Sequence, residues 1–122
     1  MQKKELIMMS IASDIIREHT DTIILSSLKE KDSYGYEINK KIKLASDGRY
    51  ELNEATLYTA IKRLEDSGCV DSYWGTEQQS ARRKYYHLTA LGAETCDRLL
   101  EEWKRAKKII DTLINSEGEE NE

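Results

Sequence analysis

The sequence predicts a mainly α-helical fold with one β-hairpin, and three observations support that prediction. Apolar residues recur at helical spacing through most of the 122-residue chain. Residues 69–88 differ, because they alternate apolar and polar side chains and contain many β-forming residues. Charged residues of both signs make up 34% of the chain and are intermixed, which suits a soluble, largely helical protein. The predicted order is helix, helix, loop, helix, hairpin and a long last helix.

The central element is the helix predicted within residues 52–68, LNEATLYTAIKRLEDSG. Asn53 has a side-chain oxygen that can cap the first turn, and Gly68 stands where a left-handed residue commonly ends a helix. At about 100° per residue, the apolar side chains share one side of this helix. That side consists of Leu57, Ala60, Ile61 and Leu64. The other side is polar and, in a helix taken alone, would simply be solvated.

Two helices are predicted before the central one, with boundaries set by turn and capping residues. The first spans residues 5–30 and the second residues 34–45, with Asp32 or Ser33 as the cap of the second. A short extended piece is predicted at residues 49–52, in the loop before the central helix. The second helix draws its apolar content from Tyr36, Ile38, Ile42 and Leu44.

The hairpin is predicted from strands at residues 69–74 and 82–88, joined by a turn at residues 75–81. Thr89 then caps a last helix that runs to about residue 115. A helix pair followed by a two-stranded wing is the winged helix-turn-helix arrangement. In that arrangement the second helix of the pair enters the major groove of double-stranded DNA, and the wing lies on the backbone or in the minor groove.

The polar side of the central helix and the wing are therefore predicted to contact DNA. Short polar and cationic side chains suit base edges and phosphates, and three cations in a row occur at the wing. The alternative for the wing cations is an edge strand that charge protects from aggregation. The predicted DNA-binding residues are Thr56, Tyr58, Thr59, Lys62, Arg63, Arg82, Arg83 and Lys84.

The overall charge requires that any DNA contact come from a local patch. Four of the 23 acidic residues lie at 117–122, which leaves 19 acidic against 19 basic residues in the rest of the chain. Such a neutral body lacks the basic excess typical of nucleic-acid binders. Three cations clustered at one hairpin tip are for that reason more informative than scattered ones.

The last helix carries apolar residues at alternating spacings of three and four, the period of a coiled coil. They predict a homodimer, which would suit a palindromic operator; packing against the chain's own first helix is the alternative, and both can hold together. The residues are Cys96, Leu99, Trp103, Ala106, Ile110 and Leu113. The predicted units are a winged helix-turn-helix domain at 1–88, a dimerisation helix at 89–116 and a disordered acidic tail at 117–122.

Several of these motifs together resemble the PadR family of bacterial transcriptional regulators over nearly the whole chain. The matching segments are YGYEI at 34–38, ATLYTAIKRLEDSG at 55–68 and RRKYYHLT at 82–89, followed by Gly92. The single C-terminal helix resembles the smaller subfamily, with the lactococcal multidrug-resistance regulator as the nearest pattern. The resemblance implies a homodimeric repressor that contacts DNA through its third helix and wing. It also implies that the C-terminal helix packs on the partner's first helix.

The resemblance further implies a ligand site at the dimer interface. In the multidrug-binding subgroup, the tryptophan matching Trp103 faces its twin and flat aromatic compounds stack between them. Ile15, Glu18 and Thr22 would line that space, and Lys107 adds a cation one turn after Trp103. We therefore expect relief of repression by planar aromatic or cationic drug-like ligands, and control of a multidrug transporter gene.

Other function classes are less well supported by the residues. The sequence contains no nucleophile elbow, metal-ligand spacing or phosphate loop, so neither an enzyme nor a cofactor or metal is expected. A redox-sensing regulator using Cys96 is the alternative, and a pure protein-interaction module is another. No stretch approaches the roughly 18 apolar residues of a membrane span, and no signal peptide is recognised. The expected location is the cytoplasm.

Overall fold

The computed structural model describes residues 14–77 and 82–115. Residues 14–17 are helical, and a turn at residues 18–19 precedes the first complete element. None of the helices in this part of the chain has both the length and the apolar character needed to cross a membrane. The elements are α1 (Thr20–Ser27), β1 (Ser33–Tyr34), α2 (Gly35–Ala45), α3 (Glu54–Asp66), β2 (Val70–Trp74), β3 (Lys84–Leu88) and α4 (Ala90–Ile114).

The core lies between α1, α2, α3, the sheet and the start of α4. Because the chain has no phenylalanine, this core is built mainly from leucine and isoleucine side chains. Every residue of the predicted apolar side of the central helix is buried, which confirms that prediction. The largest fully buried side chains are Ile24, Leu25, Ile38, Leu57, Val70 and Cys96.

The three strands form an antiparallel sheet in the order β1-β3-β2. The predicted hairpin is confirmed, with Val70 opposite Leu88 and Trp74 opposite Lys84. The short strand β1 was not predicted, because two residues are too few to show a period. Ser33 pairs with Tyr86 in the sheet, so its prediction as a helix cap is wrong. Tyr34 precedes α2 without a capping side-chain hydrogen bond, and Asp32 bonds to the sheet instead.

The predicted first helix is interrupted, and the predicted extended piece is not a strand. At the interruption, the Thr20 hydroxyl donates to the carbonyl of Arg17 at 2.6 Å and so competes with the backbone ladder. Residues 5–13 lie outside the described part of the chain. At residues 49–52, the Asn39 side chain bonds both the N–H and the C=O of Leu52 and takes the place of a neighbouring strand.

The last helix begins as predicted, since the Thr89 hydroxyl accepts a hydrogen bond from the N–H of Gly92 at 2.9 Å. Gly92 is buried against the residue that precedes β2, where a Cβ would overlap the carbonyl oxygen of Cys69. The first half of α4 packs on α1, and its second half is exposed. The predicted mainly α-helical winged fold with a C-terminal helix is therefore confirmed, while the predicted acidic tail lies outside the described residues.

Candidate nucleic-acid interface and adjoining cleft

The start of α3 is fixed by its cap. The Asn53 side-chain oxygen accepts hydrogen bonds from the N–H groups of Ala55 at 2.8 Å and Thr56 at 3.3 Å. At the other end, Gly68 has a φ of +83°, a backbone conformation that favours glycine. With both ends fixed, Thr59 is exposed and Thr56 is half-buried. The exposed side of α3 is thus presented by a helix whose register is set at both ends.

The two cations predicted on α3 are both held by carboxylates. Lys62 lies 2.9 Å from Asp66 one turn later, and this hydrogen bond raises the pKa of Lys62. Arg63 donates to Asp21, which stands in the first turn of α1. Three of the four side chains are more than half exposed and that of Asp21 is 38% exposed, so both ion pairs are weak.

A small cleft joins α3 to the wing. Its volume is about 350 Å³, and it brings Tyr58 together with two of the three predicted wing cations, Arg83 and Lys84. Tyrosine hydroxyls and cations together suit phosphate oxygens. The sequence prediction did not include Tyr34 and Tyr36, although their place beside Gly35 in YGY was a usable clue. The lining residues are Tyr34, Gly35, Tyr36, Tyr58, Arg83, Lys84 and Tyr86.

The sheet behind this cleft is tied to the chain before β1 through Asp32. Its carboxylate accepts a hydrogen bond from the Tyr73 hydroxyl at 2.7 Å and lies 2.8 Å from the Nδ1 atom of His87. These two contacts, that of Tyr73 first, lower the pKa of Asp32. Since Tyr73 belongs to β2 and His87 to β3, both strands of the wing are joined to one acidic residue.

A larger cleft of about 800 Å³ lies between α1, α2 and α4. Three of the predicted ligand-binding residues line it: Ile15, Thr22 and Trp103. Glu18 and Lys107 do not line it; both are exposed in the single chain, and their place in a dimer stays a prediction. The remaining lining mixes apolar and polar side chains from α1, α2, α4 and the segments next to them: Ile16, His19, Ile23, Ser26, Ser27, Glu30, Lys41, Ile42, Ala45, Ser46, Tyr50 and Leu100.

Among the lining residues that the sequence prediction omitted, His19 contacts Trp103. Its ring centroid lies 4.5 Å from that of Trp103, with the ring planes at 59°. The spacing could have found it, since His19 follows Ile15 by four residues and thus shares its helical side. The contact means that part of the Trp103 ring is already covered by an aromatic ring of the same chain.

The predicted dimer residues fall into two groups. Cys96, predicted at the dimer interface, is fully buried by its own chain and presents no surface there, and Leu99 packs against the core. The alternative of packing on the chain's own first helix holds for this half of α4. Burial raises the pKa of the Cys96 thiol. Ala106, Ile110 and Leu113 are exposed.

The described residues offer no group of three or more His, Cys, Asp or Glu side chains arranged to hold a metal ion. The polar side chains that line the larger cleft are mostly hydroxyls, and its one close ion pair among the described residues joins Lys41 to Glu30 at 3.2 Å. Hydrogen bonding, stacking and charge on an exposed surface are therefore the chemistry that these sites support.

Comparison with known proteins agrees with this geometry. Residues 24–98 match the profile of the transcriptional regulator PadR-like family. A transcriptional regulator from Clostridium thermocellum is 47% identical, with a TM-score of 0.78, over 84% of this chain and 97% of that one. A PadR family transcription regulator from Clostridium difficile is 38% identical, with a TM-score of 0.69, over 80% and 99%. A protein of Lysinibacillus sphaericus that is described as uncharacterised is 43% identical over 85% of this chain and 95% of its own length.

Proposed function

Because the chain belongs to the PadR-like family of transcriptional regulators, which bind DNA, we propose that it is a homodimeric repressor of a palindromic operator. The observation that carries this proposal is the junction of α3 and the wing. There Tyr58 of α3, Arg83 and Lys84 line one cleft, beside the exposed polar side of α3. The helix that enters the major groove and the hairpin that rests on the backbone are therefore contiguous.

In the proposed complex, α3 reads bases and its neighbours hold phosphates. Thr59 is short, exposed and near the N-terminal half of the helix, where base edges are reached first. Lys62 and Arg63 exchange their carboxylate partners for phosphates when DNA arrives. Because these carboxylates belong to exposed ion pairs, this exchange costs little free energy.

The dimer is proposed to form through the exposed second half of α4. Ile109 and Ile110 are 53% and 48% exposed, and Leu113 and Ile114 are 71% and 74% exposed. Four large apolar side chains in six residues form a patch of the kind that marks protein–protein contact. A two-fold axis through this contact would present two copies of α3 to a palindromic site.

Repression is proposed to be relieved by planar aromatic or cationic compounds that bind between the subunits, beside Trp103. This follows the resemblance to the multidrug-binding subgroup, and the apolar cleft next to Trp103 supports it. A ligand acts only to the extent that it prefers a subunit arrangement whose two α3 helices do not fit DNA. Control of a transporter gene for such compounds is part of the same proposal.

The DNA part is tested by selecting duplexes from a random pool and titrating the selected operator by fluorescence anisotropy. Thr59→Ala should change which operator variants are preferred, while Lys62→Gln should weaken binding to all of them alike. Lys108→Gln, which removes one positive charge from an exposed part of α4, serves as the control. Recovery of no preferred sequence, or binding that does not depend on salt, would remove the proposed function.

The ligand part is tested by fluorescence in a Trp74→Phe background, since Trp74 is exposed and also emits. Planar cationic dyes should quench Trp103 and release the operator, and Trp103→Ala should abolish both effects. Stacking on an aromatic ring contributes on the order of 1 kcal/mol beyond burial. Unchanged emission across a broad dye panel would leave a DNA-binding regulator without this mode of induction.

A further inference from the structure

Near the tip of the wing, the acidic side chain of Glu77 lies beside the basic ones. Glu77 follows β2, and its Oε1 atom accepts a hydrogen bond from the Tyr85 hydroxyl at 2.7 Å. That hydrogen bond, with smaller contributions from the backbone amides of Glu77 and Arg83, lowers the pKa of Glu77. The group is therefore a carboxylate at neutral pH, and its side chain is only 24% exposed.

The backbone two residues before Glu77 leaves room for this carboxylate. Gly75 is buried, and a Cβ there would overlap the Glu77 carboxylate and lie 2.6 Å from the Tyr85 ring. The N–H of Gly75 donates to the carbonyl of Arg83 at 2.7 Å, which closes the two strands just beyond β2 and β3. The acid thus occupies a defined space within the wing and is not a freely moving surface group.

The guanidinium of Arg83 lies between this acid and a tyrosine. Its Nη1 atom is 3.9 Å from Glu77 Oε1, and its Cζ atom is 4.6 Å from the centroid of the Tyr34 ring. The Tyr34 ring in turn meets the edge of Tyr85 at 5.5 Å between centroids. Tyr34, Arg83, Glu77 and Tyr85 therefore form a closed arrangement, which we term the wing clamp.

The other two wing cations are differently placed. Arg82 and Lys84 are exposed, and neither forms an ion pair with any other residue in the described ranges. A cation releases DNA counterions only to the extent that it neutralises a phosphate, and a partner carboxylate lowers that contribution. Among the described residues, the three consecutive cations are thus two without an ion pair and one, Arg83, that lies beside a carboxylate and a tyrosine ring.

We propose that Glu77 is a positioning residue that holds Arg83 against Tyr34, so that Arg83 fixes the wing while Arg82 and Lys84 contact the DNA phosphates. Because Tyr34 belongs to β1 and directly precedes α2, the clamp sets the position of the wing relative to the helix pair. This proposal rests on the proposed function for the DNA contact, but the clamp itself exists without DNA.

The DNA measurement is the salt dependence of operator binding for each wing variant of the full-length protein. Arg82→Gln and Lys84→Gln should each lower the slope of log K against log salt by about one unit. Arg83→Gln should leave that slope unchanged and lower affinity by the same factor at every salt concentration. Equal loss of slope for all three variants would overturn the proposal.

Glu77→Gln tests the acid itself, since an amide still accepts from the Tyr85 hydroxyl but does not hold the charge of Arg83. The freed guanidinium should add about one unit to the salt slope, so that affinity falls roughly fourfold further between 50 and 200 mM salt. Glu94→Gln controls for the change in net charge and should match the wild type. An unchanged slope in Glu77→Gln would show that Glu77 does not restrain Arg83.

A measurement without DNA separates failure of the clamp from failure of the proposed function. The side-chain N–H resonance of Arg83 should carry a ring-current shift from Tyr34 that disappears in both Glu77→Gln and Tyr34→Leu. Its presence together with unaltered slopes in Arg82→Gln and Lys84→Gln would remove the wing from the DNA contact. Its absence in the wild type would overturn the clamp itself.

Discussion

The two halves of α4 share one apolar period but lie in opposite environments. In the first half Cys96 is fully buried, and Leu99, Leu100 and Trp103 are partly covered by the chain's own core. In the second half, residues 104–114 are all exposed, and Leu113 reaches 71%. A helical period shows which side of a helix avoids water, but it does not show which molecule covers that side. In α4 the apolar period continues into residues 104–114, which the rest of the described chain leaves exposed.

The largest effect that separates the two halves should come from introducing a charge into each. Leu99→Asp puts an unpaired carboxylate against the core and should cost several kcal/mol of folding free energy, enough to unfold a marginal domain. Ile110→Asp should leave the winged domain folded and abolish dimerisation. Circular dichroism and sedimentation measure the two outcomes, with Arg105→Asp as a control outside the apolar period. A folded, fully dimeric Ile110→Asp variant would contradict the proposal that the exposed half of α4 forms the dimer contact.

Thiol reactivity compares the burial of the same two halves of α4 without introducing a charge. In a Cys69→Ala background, Cys96 should react with a thiol reagent at least about 100-fold more slowly than a free thiol, which corresponds to ~2.7 kcal/mol for local opening. Burial also raises the pKa of Cys96, so the protonated, unreactive form predominates at pH 7 and the reaction becomes faster only at higher pH.

The matched variant places the thiol in the exposed half, as Ala106→Cys with Cys96→Ala. It should react like a free thiol at low protein concentration and become protected as the dimer forms. Rapid reaction of native Cys96 would instead restore a redox role for that residue.

The junction where α4 starts should show an intermediate effect. Gly92→Ala forces a methyl group onto the Cys69 carbonyl and the Leu88 side chain, which should destabilise the fold by about 1–3 kcal/mol. Urea unfolding measures this loss, and Ala93→Gly on the same turn provides a comparison that adds no atoms. Full stability of Gly92→Ala would mean that the helix can move away from β2 without loss.

The smallest effect should come from the exposed ion pairs of the second half. Lys104 lies 3.5 Å from Glu101, and both side chains are 68% exposed. Lys104→Gln should change the free energy of unfolding by less than about 0.5 kcal/mol. A larger change would indicate that this pair is covered in the dimer, and its dependence on protein concentration would decide the point.

Local patterns predicted most of the fold, because the elements that they describe are stabilised locally. The Asn53 and Thr89 caps are made within three residues, and the apolar period of α3 and the alternation of the hairpin strands are visible in short stretches of sequence. The errors lie where a partner distant in sequence decides. Ser33 is a strand residue because of Tyr86, and Asp32 is held by Tyr73 and His87.

The same limit applies to the candidate site. The spacing in α3 and the cluster of three cations at the wing identified a set of residues, but not the acids that hold some of them. Asp21 is 42 residues from Arg63, and no period links the two. Glu77 is close to Arg83 in the sequence, but its contact depends on the turn of the wing and on the space beside Gly75. Which cations are free was therefore not predictable from composition or spacing.

Contacts of Thr89 and Gly92 with the chain at the start of β2 hold the N-terminal end of α4 on the sheet. The Thr89 hydroxyl donates to the carbonyl of Gly68 at 2.7 Å, and its N–H donates to that of Cys69 at 3.1 Å, so the helix is anchored where it leaves the sheet. From Gly92 to its end at Ile114 it extends ~33 Å at about 1.5 Å per residue. A tilt of about 5° at the anchor would thus move the far end by roughly 3 Å, close to the rise of two residues. In the proposed dimer, a small rotation between the C-terminal ends of two α4 helices would therefore displace the two winged domains enough to misalign their α3 helices.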